Sequence, residues 1–398
     1  MSCPEGFKVS REGRAILCIP NPELYKRENG VYEPAWAPVF YNPVMIENRD
    51  IAIAFLRWAS QSRTLRLVVD PLASTGVRGI RIALEVPQVS EVIMSDINDY
   101  AVSVMNINIR LNNVESKVKA IHADANELLF MLFRQKAKIE YIDIDPFGSP
   151  APFAFATLYT VKNGGYAAFT ATDLAPLEGK YPQKLYRRYG VIGRKSIISK
   201  DIAIRNLLAF LAREAAKIDR VVIPLVSYYS RHYIRLYIRV IEGGLRANEL
   251  LSRCIGSIAI CDRCGFVEYF ATVDTCNITK CPICGSKLSL TRFTWICSIK
   301  DSEVVTKVCS IVNGDEVFAI ESKRLALRIG READVEGKLY RISVMARALR
   351  RNMPSPERVV LCLKEIGFRA SRSHVYPDGV VTEAPYEVVR ECISASKP

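Results

Sequence analysis

Eight residues, Asp143-Ile144-Asp145-Pro146-Phe147-Gly148-Ser149-Pro150, break an apolar run with two acids, two prolines and a glycine. Loops at the carboxyl ends of strands are where open α/β sheets place their ligands, so carboxylates there form either an expensive turn or a reaction site. The chemistry they suit is transfer to an exocyclic amine of a heteroaromatic ring. Such an amine is a poor nucleophile because its lone pair is delocalised into the ring. The Asp145 carboxylate and the Pro146 carbonyl can accept hydrogen bonds from it, while Phe147 can stack on the base.

A second loop, Asp70-Pro71-Leu72-Ala73-Ser74-Thr75-Gly76-Val77-Arg78-Gly79, joins a strand to the helix that it feeds. Small residues such as Ser74 and Gly76 let the backbone approach a ligand, and Asp70 can accept from an amino group. The loop lacks G-x-G-x-x-G, which disfavours a pyrophosphate and suits S-adenosyl-L-methionine, whose zwitterionic tail needs one cradle. Asp96, at the next strand end, can hold two ribose hydroxyls. Asp124 with the amide of Ala125 can read the adenine edge. Each acid taken alone is an ordinary helix cap or turn residue. Four successive strands ending in Asp make the stronger observation.

The elements that must position these loops are legible as apolar runs alternating with helical patterns: 65–70, 91–96, 118–124, 140–145, 165–173, 220–230 and 232–240. The spacing predicts βαβ units and a parallel sheet, while the last two runs, nearly touching, predict a hairpin. A reversed final strand is the mark of the class I methyltransferase fold. The expected architecture is therefore α/β, a Rossmann-like seven-stranded mixed sheet. It carries an N-terminal arm over the site (1–64), a catalytic domain (65–244), a zinc-ribbon-like insertion (245–300) and a basic C-terminal α+β domain (301–398). In the last, 338–352 and 355–368 read as helices, the second capped by Ser355 with Pro356 after it, and a hairpin turns at Pro377-Asp378-Gly379.

Lys and Arg number 55 against 42 Asp and Glu, a net +13, which points to a polyanionic partner. Between Lys180 and Arg205 lie eight Lys or Arg and one acid, interleaved with Tyr181, Tyr186 and Tyr189. Lys184, Arg187 and Arg188 are the candidate phosphate contacts there. A second stretch, Lys323 to Arg372, holds thirteen Lys or Arg and five acids. Either stretch alone reads equally well as a solvated helix face. No apolar run nears the roughly 18 residues of a membrane span, and the amino terminus lacks secretory character. No membrane association and a cytoplasmic location are expected. Oligomeric state is not legible, and a monomer is the working expectation.

Cys261-x2-Cys264 and Cys281-x2-Cys284, each pair followed by Gly, predict four thiolates around one structural Zn2+. Cys276 is left over. The other cysteines of the 12 are expected to be buried thiols, since disulfides are rare in an intracellular chain. His374, an isolated His, reads as a packing residue.

The stretch DPF resembles the Asp/Asn-Pro-Pro-Tyr/Phe motif of amino methyltransferases. Together with Phe40-Tyr41-Asn42-Pro43, Asn48-Arg49-Asp50, the Ala73–Gly79 loop, Asp96-Ile97-Asn98, Asp124-Ala125-Asn126 and Thr170-Ala171-Thr172-Asp173, DIDPFGSP resembles the tRNA guanine-26 N2-dimethyltransferase family over nearly the whole chain. Tyr228-Tyr229, Arg231-His232-Tyr233 and Ala384-Pro385-Tyr386 extend the match. Ala-Ser-Thr-Gly stands where members often have Ser-Ala-Thr-Gly. The resemblance implies cofactor contacts from Arg49, Arg78, Asp96, Asp124 and Ala125, and Asp145 as the catalytic carboxylate. It implies a guanine pocket lined by Phe40 and Phe147, next to Tyr41 and Asn42, with tRNA as the partner. N2-methyl- and N2,N2-dimethylguanosine are the expected products. The same chemistry at another guanosine, a DNA amino methyltransferase and a non-catalytic RNA-binding protein are the alternatives. The intact Asp145, Pro146 and Phe147 argue against the last.

Overall fold

Apolar runs such as Leu65–Asp70 and Ile139–Ile144, bounded by turn residues, form strands largely buried on both faces, and the loops that follow hand the chain to helices. The computed structural model describes residues 3–61, 65–271 and 279–395. A hairpin of β1 (Phe7–Glu12) and β2 (Ala15–Pro20) precedes α1 (Ile46–Ala59). Then come β3 (Leu65–Asp70), α2 (Val77–Glu85), β4 (Val89–Asp96), α3 (Asp99–Leu111), β5 (Val118–His122), α4 (Ala125–Arg134), β6 (Ile139–Ile144), α5 (Ala151–Thr160) and β7 (Val161–Ala171). After α6 (Leu174–Leu177), α7 (Pro182–Tyr189) and α8 (Ser199–Ala216), strands β8 (Arg220–Ser230) and β9 (Tyr233–Glu242) pair as the expected antiparallel hairpin.

The sheet order is β5-β4-β3-β6-β7-β9-β8, with β3 to β7 parallel. This is the mixed seven-stranded α/β sheet that the run spacing predicts. The order reverses at β3 and β6, so the loops after these two strands flank the switch point where such sheets bind ligands.

The chain divides into two compact units. The first holds the residues through Pro146, then 152–169 and 307–326. In it, edge strand β2 is satisfied by side chains: Asn108 on α3 and Asn112 at its C-terminal cap accept from Cys18 N and Ile16 N at 2.6 and 2.9 Å and donate back to both carbonyls. Asn108 also donates to Thr75 O at 2.9 Å, tying the hairpin to the loop after β3.

The second unit holds 147–151, 170–306 and 327 onward. It contains α9 (Gly244–Cys254) and a three-stranded sheet of β10 (Ile255–Ile260), β11 (Val267–Phe270) and β12 (Ser289–Trp295). Helices α10 (Ser302–Gly314) and α11 (Ile320–Arg331) each contribute residues to both units. The C-terminal part has β13 (Lys338–Arg341), α12 (Ile342–Ala348), α13 (Pro356–Glu365), β14 (Ala370–Arg372), β15 (Gly379–Thr382) and α14 (Tyr386–Ala395).

Ser355 caps α13 through Arg358 N, and β14 and β15 form the expected hairpin. The helix expected over 338–352 is corrected: residues 338–341 are a strand and only 342–348 are helical. Lys338–Arg341 pairs in register with Gly379–Thr382 and buries Leu339 and Tyr340, a long-range gain that overrides helix propensity.

Candidate active site

The loop after β3 is built to be tight. Ser74 lies in the left-handed region at φ 51°, which aims its N–H at Asp96 Oδ2 (2.9 Å), and its Oγ donates to Phe40 O (2.6 Å). A non-glycine residue held there is a local strain of the kind found at ligand loops. Gly76 has φ 77°, and a Cβ on Gly79 would sit 2.3 Å from Met94 Sδ, so α2 packs on β4 only because position 79 has no side chain. Asn98 Nδ2 donates to Pro38 O at 3.0 Å, so residues 38–40 of the expected arm lie along this loop.

Asp96 spends its second oxygen on Asn98 N at 2.9 Å, and Asp124 caps α4 through Asn126 N and Glu127 N at 2.8 and 3.2 Å. Ala125 is buried directly after it. Three buried oxygens around these strand ends, Asp70 Oδ1, Thr75 Oγ1 and Asn126 Oδ1, have no partner among the described residues. Buried acceptors normally find a donor. A ligand carrying amino and hydroxyl donors, as S-adenosyl-L-methionine does, fits this set.

Arg78 joins the two loops of the switch point. Its Nη2 bonds Asp145 Oδ2, its Nη1 donates to Asn48 Oδ1 at 3.1 Å, and its Nε lies 3.4 Å from Asp143 Oδ1 and 4.0 Å from Asp70 Oδ2. Three carboxylates thus share one guanidinium. Burial, only partly offset by Arg78 and reinforced by Asp143 and Asp145, pushes the Asp70 carboxyl up to about 7. The Asp145 side chain, 22% exposed, is the member that meets solvent. Pro146 is buried and Phe147 is 72% exposed. In the second unit, Gly148 (φ 86°) accepts from Thr172 N and Asp173 N, and Ser149 Oγ bonds Tyr189 Oη at 2.6 Å. Tyr189 also donates to Asp173 at 2.7 Å. Asp143, Asn48, Asp173 and Tyr189 carry weight that the sequence reading did not assign. The alternation Tyr141, Asp143, Asp145 along β6 was the available signal for the first of them.

The family described as N2,N2-dimethylguanosine tRNA methyltransferase matches residues 23–394. The tRNA (guanine(26)-N(2))-dimethyltransferase of Saccharolobus solfataricus is 35% identical over 392 residues, covering 98% of this chain and 99% of that relative. The protein of the same name from Metallosphaera sedula is 34% identical, covering 97% and 96%. The solved complex of Trm1 from Pyrococcus horikoshii with S-adenosyl-L-methionine aligns with a TM-score of 0.82 at 29% identity, over 97% of this chain and 99% of that one. This chain belongs to the N2,N2-dimethylguanosine tRNA methyltransferase family.

The remaining residues singled out in the sequence have differing surroundings. Phe40, half-buried, touches the cofactor loop through its carbonyl. Arg49, Tyr41 and Asn42 are engaged internally: Arg49 makes a bidentate pair with Glu12 at 2.6 Å and donates to Asn42 O at 3.1 Å. Tyr41 Oη donates to Glu12 Oε2 at 2.8 Å, and Asn42 caps the turn Pro43–Met45. On α7, Arg187 is exposed and Lys184 half-buried, beside exposed Tyr181 and Tyr186, whereas Arg188 is spent on Asp173 at 2.7 Å. His374 packs as expected, accepting from Tyr229 N at 3.3 Å and pairing with Glu332.

Cys261, Cys264, Cys281 and Cys284 converge, their Sγ atoms all within 4.8 Å of one another. Each knuckle repeats one turn: Gly265 N donates to Cys261 O and Gly285 N to Cys281 O, both 2.9 Å, with φ 82° and 70°. Thiolates 2.3 Å from a tetrahedral zinc lie about 3.8 Å apart, and the pairs 261–284 and 264–281 stand at 3.5 and 3.6 Å. Cys276 lies outside the described residues. The expectation of few disulfides is corrected, because Cys3–Cys18, Cys254–Cys297 and Cys362–Cys392 are bonded. Their Cα atoms stand 5.4, 5.0 and 5.7 Å apart, within bonding reach, a proximity set by packing and not by spacing. Among the described residues no helix is long and apolar enough to cross a membrane.

Proposed function

We propose that this protein methylates the exocyclic N2 of guanosine 26 in tRNA twice, giving N2-methyl- and then N2,N2-dimethylguanosine, with S-adenosyl-L-methionine as donor. The observation that carries the reading is Asp145 at the end of β6, partly exposed and held by Arg78 beside the set of partnerless buried oxygens. The names of the relatives supply the substrate and the position.

When bound, the cofactor supplies an electrophilic methyl group on a sulfonium. Asp70, Ser74, Gly76, Arg78, Asp96, Asp124 and Ala125 would hold it, and Arg49 would contribute by bracing the arm. Asp145 accepts a hydrogen bond from the amine, keeps its lone pair turned out of the ring, and takes the N2 proton as the N–C bond forms and the C–S bond breaks. Pro146 offers a carbonyl to the same amine, and Phe147, Phe40, Tyr41 and Asn42 are the residues that the family resemblance assigns to the base. A stacked guanine must first be turned out of its helix. Lys184, Arg187 and Arg188 belong to a tRNA surface with the tyrosines of α7.

The four parts of the chain read as arm (1–64), catalytic domain (65–244), zinc segment (245–300) and tRNA-binding domain (301–398), acting as a cytoplasmic monomer. Zn2+ on the four cysteines is structural.

The test is nucleoside mass spectrometry of an unmodified tRNA transcript incubated with the protein and cofactor, with fragment mapping. Dimethylguanosine at position 26 is expected, lost in Asp145→Ala while cofactor binding persists. Undiminished methylation by that variant would sink the assignment. Metal analysis should find about one zinc per chain, and its absence with four freely titrating thiols would refute the site.

A further inference from the structure

Arg78 divides its donors among partners that differ in what holds them. Asn48 Oδ1 takes Nη1, Asp143 Oδ1 faces Nε, and Asp145 takes Nη2. A guanidinium is a rigid planar fork, so fixing two of its edges decides where the third points. Asp143 is itself fixed: it is fully buried, and its Oδ2 accepts from the fully buried Tyr141 Oη at 2.6 Å. Tyr141, Asp143 and Asp145 alternate along β6 and its end, which puts all three on one face of the strand.

Asp143 is costly where it stands. It crowds a site that already has Asp70 and Asp145 against a single guanidinium, and an apolar residue at this strand position would remove a buried charge. Neutralising Arg78 does not require it, since Asp145 alone carries the opposite charge. What Asp143 adds is direction. The fork is held at Nε and Nη1, so Nη2 meets Asp145 Oδ2 and sets the orientation of that carboxylate.

We propose that Asp143, together with Asn48, is a positioning residue of the methyl transfer: it orients Arg78, and Arg78 orients Asp145 towards the amine. This rests on the assignment of Asp145 as the acceptor of the N2 proton.

The test uses full-length Asp143→Asn, Asn48→Ala, Arg78→Lys and the double variant Arg78→Lys/Asp143→Asn. Turnover is measured on the tRNA transcript at saturating cofactor, and cofactor affinity separately by calorimetry. Misorienting a reacting group costs up to about 100-fold, so kcat should fall about 10- to 100-fold in Asp143→Asn and Asn48→Ala. The KM for tRNA should stay unchanged, and the Kd for cofactor should rise by much less than kcat falls, Arg78 being itself among the residues that would hold the cofactor. Because Asp143 acts through the fork, the double variant should be no slower than Arg78→Lys alone. A merely structural role would make the two losses add and would lower the cofactor affinity at least as much as kcat.

Unchanged kcat in both Asp143→Asn and Asn48→Ala, a loss carried entirely by Kd, or additive losses in the double variant would each overturn the inference. If Asp143→Asn does not fold, Asn48→Ala decides, since it frees a different edge of the same guanidinium. A wild-type protein that methylates no tRNA overturns the function and this inference with it. An active wild type with unaffected variants overturns the inference alone.

Discussion

Arg78 and Arg81 lie three residues apart on α2, both buried, and their surroundings differ in charge balance. Arg81 pairs with Glu12 at 3.0 Å, Asp50 at 2.7 Å and Glu85 at 2.8 Å, while Arg49 shares Glu12 and Arg57 lies 3.9 Å from Glu85. With Asp315, the second partner of Arg57, included, three arginines there meet four carboxylates. Around Arg78 one arginine meets three. The consequence shows in the acids. Burial alone would raise Glu12, yet Arg49 and Arg81 hold it down at about 2, whereas Asp70 is pushed up to about 7 by burial that Arg78 cannot offset. A balanced buried cluster serves as scaffold. An unbalanced one is where a cationic ligand or a proton has work to do.

The largest expected effect comes from breaking the balanced side. Arg81→Ala strands buried carboxylates and should cost about 3–5 kcal/mol, read as a lowered urea midpoint. Arg78→Ala should cost less stability, because Asp70 already takes a proton readily, while losing methylation. Equal destabilisation by the two would erase the distinction.

A smaller effect, on the order of 1–3 kcal/mol, is expected in the pH dependence of unfolding. The folded Asp70 value of about 7 lies above its ordinary 3.8. Its contribution is therefore fully present below about pH 4 and is lost as pH rises through 7. Glu12 runs the other way: its stabilisation is present above 4.5 and lost as pH falls towards 2. Asp70→Asn should flatten the limb between pH 4 and 7 and leave the acid limb alone. An unchanged neutral limb in that variant would mean the excess charge is relieved elsewhere.

The smallest effect belongs to Arg57, which bonds Asp315 at 2.6 Å with both side chains partly exposed. Arg57→Ala should lower stability by about 1 kcal/mol or less. A loss as large as that of Arg81→Ala would make this peripheral arginine a full member of the balanced group.

Much of this was legible from short-range pattern. The strands, the acids at their ends and the hairpin of β8 with β9 follow from alternation and turn residues a few positions apart, and so do the two cysteine knuckles and the Ser355 cap. His374 was legible as a packing residue because nothing near it suggested chemistry. The strand at Lys338–Arg341 was not, since KLYRISVMARALRRN is rich in helix formers and only pairing with Gly379–Thr382 makes its first four residues extended. Arg49 was singled out within its motif, but its partner Glu12 lies 37 residues earlier.

The sequence by itself determined the sheet, the loops that carry Asp70, Asp96, Asp124 and Asp145, and the fourfold cysteine set, because period and spacing act within a few residues. Tertiary structure decided which cysteines bond, which basic side chains are spent on acids, and which arginine balances which carboxylates. Charge in a buried site is settled by groups brought together from distant parts of the chain, where low dielectric makes each pairing or its lack count.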